Sequence, residues 1–167
     1  MNAQDVLTLY EYSYWATHRI LAATAMLRQP QFVAPTTHSF GSLRGTLVHI
    51  LDSECGWRML CQRNSLASFN ALSEEAFADA AALGQAWRRE EAAMREYLGG
   101  LSDADLAGWV RYTADGNKRE RLLWHCLLHL VNHGTHHRSQ AAAILKGHGS
   151  DPVSLDFTLF LNENPGS

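Results

Sequence analysis

The sequence predicts an all-α protein, a four-helix bundle with a small β-hairpin before its last long helix. Three observations lead there. Four stretches, each about twenty residues or longer, place apolar side chains at the three-four spacing of an amphipathic helix. Proline, paired glycines and polar runs separate them. One short region around Asp115-Gly116 instead alternates like two strands flanking a tight turn. Helices with one apolar stripe hide it only against one another, and four of them make a bundle.

The first helix is expected from about Ala3 to Met26, with Val6, Leu9, Tyr10, Ser13, Thr17, Ile20, Leu21 and Thr24 on one face. Tyr12, Tyr14 and Trp15 widen its aromatic surface, as core or as subunit contact. His18 has no partner nearby in sequence and reads as a surface residue. Gln29-Pro30 ends this helix, and Phe32 to Phe40 is a loop broken by Pro35. Ser42 is the expected N-cap of the second helix, Leu43 to about Asn64, whose apolar face uses Leu43, Leu47, Ile50, Leu51 and Trp57. His49 lies among them, followed by Asp52, Ser53 and Glu54.

Ser65 to Asn70 is a loop. Ser73 is the expected cap of a third helix running to about Leu98, where Gly99-Gly100 stops it. Within it Arg88-Arg89-Glu90-Glu91 reads as a solvated charged face. Ser102 to Leu106 is a short helical turn. Trp109 to Thr113 and Lys118 to Arg121 form the hairpin, turned by Asp115-Gly116. The fourth helix, Leu122 to Gly147, follows, and the apolar tail Asp151 to Leu161 packs back as a short helix. Two longer connections leave a simple up-down-up-down order open.

A chain of 167 residues fits one domain, residues 1–167, and buries one proper core. Its net charge of −3 argues against a nucleic-acid partner. The Met1-Asn2-Ala3-Gln4-Asp5 start lacks the basic and apolar regions of a signal peptide, and no apolar run approaches about 18 residues. The expectation is a cytoplasmic protein with no membrane partner. Cys55, Cys61 and Cys126 are odd in number and form no CxxC pair, so they read as reduced, buried small hydrophobes.

The chemistry concentrates on the fourth helix. Five of the nine histidines fall between His125 and His137. A helix turns about 100° per residue, so positions four apart share a face, offset by about 40°. His125, His129, His133 and His137 therefore form one stripe, and an i, i+4 pair of imidazoles can hold one metal ion. The spacing alone does not choose a pair. No glutamate stands three residues before a histidine, which excludes the carboxylate-bridged di-iron pattern, and there is no HExxH. The remaining arrangement is an all-imidazole site, which suits zinc, nickel, iron or copper. A third ligand has to come from another helix, which is what brings His49 forward. Three nitrogen ligands leave a position open for water or substrate.

Leu47-Val48-His49-Ile50-Leu51-Asp52-Ser53-Glu54, Asn132-His133-Gly134-Thr135-His136-His137-Arg138-Ser139-Gln140 and Tyr12-Ser13-Tyr14-Trp15-Ala16-Thr17 together resemble the DinB/YfiT-like family of damage-inducible bundle proteins. The resemblance spans essentially the whole chain and is carried most specifically by the fourth helix. Ser139 stands where the family commonly has glycine, and Thr17 where it has asparagine. The resemblance implies one divalent metal, zinc or nickel foremost, held by His49, His133 and His137, often in a homodimer. His136 is then expected to face a neighbouring helix or support a ligand, and Arg138 and Gln140 to tie helices together. Asp52, Ser53 and Glu54 are candidates for orienting an imidazole. The implied reaction on a small-molecule substrate is transfer of a low-molecular-weight thiol such as bacillithiol, mycothiol or glutathione to an electrophile, or a thiol-dependent isomerisation. Hydrolysis by a metal-activated water is the alternative chemistry. A different class of function also fits, a metal-stabilised bundle that binds partners in stress responses without turnover.

Overall fold

The computed structural model of the chain describes residues 1–150 and 154–166. Four long helices dominate: α1 (Ala3–Ala25), α3 (Leu43–Arg63), α4 (Ala80–Gly99) and α6 (Leu123–Gly147). Short helices α2 (Gln29–Phe32), α5 (Asp103–Leu106) and α7 (Phe157–Glu163) join or follow them, and β1 (Trp109–Ala114) pairs antiparallel with β2 (Asn117–Leu122). Of the expected tail, residues 151–153 lie outside the described residues.

Local chemistry sets most boundaries. Asn2 and Asp5 form a reciprocal capping box at the start of α1. Ser42 accepts from the Gly45 amide at the start of α3, and Asn64 ends that helix in the left-handed region (φ 49°). Asp115 and Gly116 both have positive φ (51° and 73°), as a two-residue hairpin turn requires. The α6 helix has no side-chain cap; the Leu123 amide donates to the Gly108 carbonyl instead (2.8 Å).

Three expectations are corrected. Pro30 does not merely end the first helix: it sits in the first turn of α2, where a missing N–H costs nothing. Ser73 caps only a 3₁₀ turn, Glu74–Ala76. Phe77 then adopts non-helical backbone (φ −117°, ψ 88°) and buries its ring, so the third long helix begins at Ala80, capped by Asp79. Glu90 and Glu91 are buried rather than solvated. Arg58 of α3 clasps Glu90 with two nitrogens, while Arg95 and His18 hold Glu91.

The long helices close a ring in which α1 packs on α4, α4 on α3, α3 on α6 and α6 on α1. Chain neighbours α1 and α3 are thus diagonal, as are α4 and α6, so two connections cross an end of the bundle. Apolar cores fill both ends. One holds Val6, Tyr10, Met94, Leu127 and Leu130 near the hairpin; the other holds Ile20, Leu47, Leu51, Trp87 and Leu145. Between them runs a polar waist of Ser13, Thr17, Glu54, Glu90, Glu91, His137 and Arg138, all buried. Tyr12 and Trp15 are covered from outside by Phe157 and Phe160 of α7.

Candidate metal centre

His49 comes from the second turn of α3, and His133 and His137 from successive turns of α6. Because α3 and α6 are ring neighbours, the three meet in the groove between those helices. Their candidate ligand nitrogens all lie within 4.8 Å of one another. The Nε2 atoms of His49 and His133 are 2.9 Å apart, and the ring centroids are separated by 4.4 to 4.8 Å. His137 is buried and the other two are half-buried, so the group opens to solvent on one side.

Two further residues hold the rings. The Nδ1–H of His137 donates to Oε1 of Gln140 (2.8 Å), which leaves Nε2 as the nitrogen with a free lone pair. Phe40, from the loop before α3, stacks on His49 at 3.7 Å and 15°, and meets His137 edge-on at 5.2 Å. Gly45 is what lets that loop come close: a Cβ there would overlap the Phe40 carbonyl oxygen. Gly134, in mid-helix between His133 and His137, leaves room for Arg138, whose Nη1 would stand 2.8 Å from an added Cβ.

Burial, with the positive charge that His137 and its neighbours would add, lowers the His133 pKa to about 4. The same two causes lower that of His49, against a smaller opposing pull from Asp52. Both rings are therefore neutral at neutral pH, the state in which imidazole binds metal. Tetrahedral imidazole donors about 2.0–2.1 Å from zinc stand roughly 3.3 Å apart. The donor set fits one borderline transition-metal ion after small ring movements, and among the described residues no fourth His, Cys, Asp or Glu joins the group.

The other candidates sit elsewhere. His129 is exposed, with its ring 5.8 Å from that of His133 and 5.1 Å from that of Trp57. His125 is exposed beside Trp124, and His136 is exposed near the Gln140 amide. Asp52 accepts from the Leu72 amide and Glu54 from Tyr14, so neither orients a ligand by hydrogen bond. Arg138 ties α6 to Ser13 and Thr17 of α1, the helix tie expected of it. Gln140 does something different from the expected helix tie: it fixes His137. Its position three residues on, one turn away on the same face, was the available signal. Nothing in the sequence marks Phe40.

Two cavities lie outside this group. The larger, about 920 Å³, fills the groove between α1 and α4 on the opposite face of the ring. The smaller, about 410 Å³, lies between the hairpin and the end of α3. None of the three histidines lines either one.

Comparison with known proteins agrees with this architecture. The DinB family model matches residues 1–166. The chain is 25% identical to Protein DinB of Bacillus subtilis (strain 168) over 170 residues, covering 92% of this chain and 91% of that protein. A crystal structure of a DinB-like protein from Bacillus cereus ATCC 10987 superposes with a TM-score of 0.72, covering 92% of this chain and 97% of the other at 16% identity, a likeness of fold.

Proposed function

Since the chain belongs to the DinB family, we propose that His49, His133 and His137 hold one divalent transition metal, zinc or nickel, and that the loaded protein transfers a low-molecular-weight thiol to an electrophilic small molecule. The observation that carries this reading is the convergence of three imidazoles from two helices, with no fourth donor among the described residues. A closed structural zinc site uses four protein ligands, whereas three leave a position for an exchangeable one.

A bound ion of this kind supplies Lewis acidity that favours the deprotonated form of a coordinating thiol, and so a nucleophile at neutral pH. The chain's own residues prepare the site. Gln140 holds the His137 proton on Nδ1 and keeps Nε2 basic. The half-buried setting and the neighbouring His137 keep His49 unprotonated, and stacking on Phe40 fixes its ring. The open side between His49 and His133 is where a small molecule approaches. The proposal takes residues 1–167 as one domain acting as a homodimer in the cytoplasm, with neither nucleic acid nor membrane as partner. No described helix is long and apolar enough to cross a membrane.

One observation favours a second reading, a metal-stabilised bundle that binds without turnover: the histidines line neither cavity. A single assay separates the two. Zinc- and nickel-loaded protein is mixed with glutathione, bacillithiol or mycothiol and monobromobimane, and conjugate formation is followed by fluorescence. The thiol-transfer reading expects at least tenfold acceleration with one thiol, abolished in His49→Ala. Metal-loaded protein that accelerates none of them supports the binding reading.

A further inference from the structure

A strip of rings leads away from the histidines along the α3–α6 groove. From His133 it passes to His129 (5.8 Å between centroids), then Trp57 (5.1 Å), then Tyr112 of β1 (5.4 Å). His129 is exposed, and Trp57 and Tyr112 are half-buried, so this strip is a surface on which a flat or apolar body can lie.

The strip ends in the cavity of about 410 Å³, a volume within the range of small-molecule sites. Tyr112 is one wall, with Leu60 and Leu66 beside it. Arg119 is the cross-strand partner of Tyr112, and residues directly opposite in an antiparallel pair share a face. Arg119 is therefore turned toward the bundle, half-buried, beside the last ring of the strip. The neighbouring Arg111 is neutralised by Glu120. Arg119 and Lys118 have no carboxylate partner among the described residues. A partly desolvated guanidinium without a counter-charge, in a concave site beside an aromatic wall, is suited to a carboxylate.

We propose that the cavity between the hairpin and the end of α3 binds the carboxylate end of an organic acid, with Arg119 as its counter-ion, Trp57 and Tyr112 under its apolar body, and its far end directed along His129 toward His133. This rests on the proposed function in one respect: it makes the substrate class of the histidine site anionic and elongated. A carboxylate-bearing thiol, or an acidic electrophile, meets that description. The chain is acidic overall, so this basic pocket selects anions locally rather than through net charge.

The test uses a probe without a thiol, so that it does not depend on thiol chemistry. Ligand-observed NMR titrations compare 4-phenylbutyrate with the uncharged 4-phenylbutanamide on full-length protein. Wild type is expected to bind the acid at least fivefold tighter, and Arg119→Gln to lose that preference while binding the amide unchanged. Trp57→Leu should weaken both probes. The acid should also shift the His129 ring resonance, assigned by its loss in His129→Asn. Equal binding of acid and amide to wild type, a preference that survives Arg119→Gln, or an unmoved His129 resonance overturns the proposal. His133→Ala, which removes a proposed metal ligand, should keep the acid preference. Metal retained in that variant would refute the three-histidine reading, while the role of Arg119 stands or falls on the probe titrations alone.

Discussion

Gln140 shows how one side chain, legible only as a polar residue at helical spacing, decides the state of another. By accepting the Nδ1 proton of His137 it selects the tautomer that presents Nε2 to the site. Gln140→Ala should weaken zinc binding by about 10- to 100-fold with the helical circular dichroism intact, read by competition with a chromophoric chelator. Unchanged affinity would remove Gln140 from the centre. Glu54 is the other residue whose setting matters. Burial, reinforced by Glu90 and Glu91, raises its pKa from 4.5 to about 7, outweighing the Tyr14 hydrogen bond and the nearby Arg138 charge. The folded protein then holds this proton more tightly than the unfolded chain does. Stability from this group is full below about pH 4.5 and is lost as pH rises through about 7. Glu54→Gln keeps an acceptor for Tyr14 and removes the charge. Its stability advantage over wild type should grow between pH 5 and pH 8, by on the order of 3 kcal/mol in urea denaturation. An advantage that does not change with pH would contradict the assignment.

At the scale of elements, the long helices were legible because their apolar faces repeat with helical spacing, and the hairpin because Asp115-Gly116 supplies two positive-φ positions. The start of α4 was not, since Ser73 and Asp79 are both good caps and only the burial of Phe77 decides between them. Glu90 and Glu91 misled for a related reason. A charge run looks solvated in sequence, and the side chains that hold these two include His18 on α1 and Arg58 on α3. Arg138 carries the same lesson between α6 and α1. It is 2% exposed and bonded to Ser13, Thr17 and Thr135, with Gly134 leaving it space. Arg138→Ala leaves those hydroxyls and Glu54 without their cation and opens a void. It should cost roughly 3–5 kcal/mol in chemical denaturation, and a loss below about 1 kcal/mol would show that the waist tolerates its absence.

For the whole molecule, the ring order of helices is what turns a histidine-rich helix into a site. Sequence spacing left His129 and His137 as rivals; the α3–α6 contact settles which rings stand together, because His49 reaches His133 and His137 while His129 turns to Trp57. The crossing connections also separate the two faces, with the histidines in one groove and the cavity of about 920 Å³ in the opposite one. Both apolar clusters are built without the three histidines, so ligand loss is expected to be readable without global unfolding. The most direct test of the central claim is metal content by elemental mass spectrometry on tag-free protein, with His49→Ala and His133→Ala beside wild type and circular dichroism as the folding control. The account predicts close to one divalent transition-metal ion per chain in wild type and its loss from both folded variants. Wild-type protein that carries no metal and takes up none on titration with zinc or nickel would contradict it.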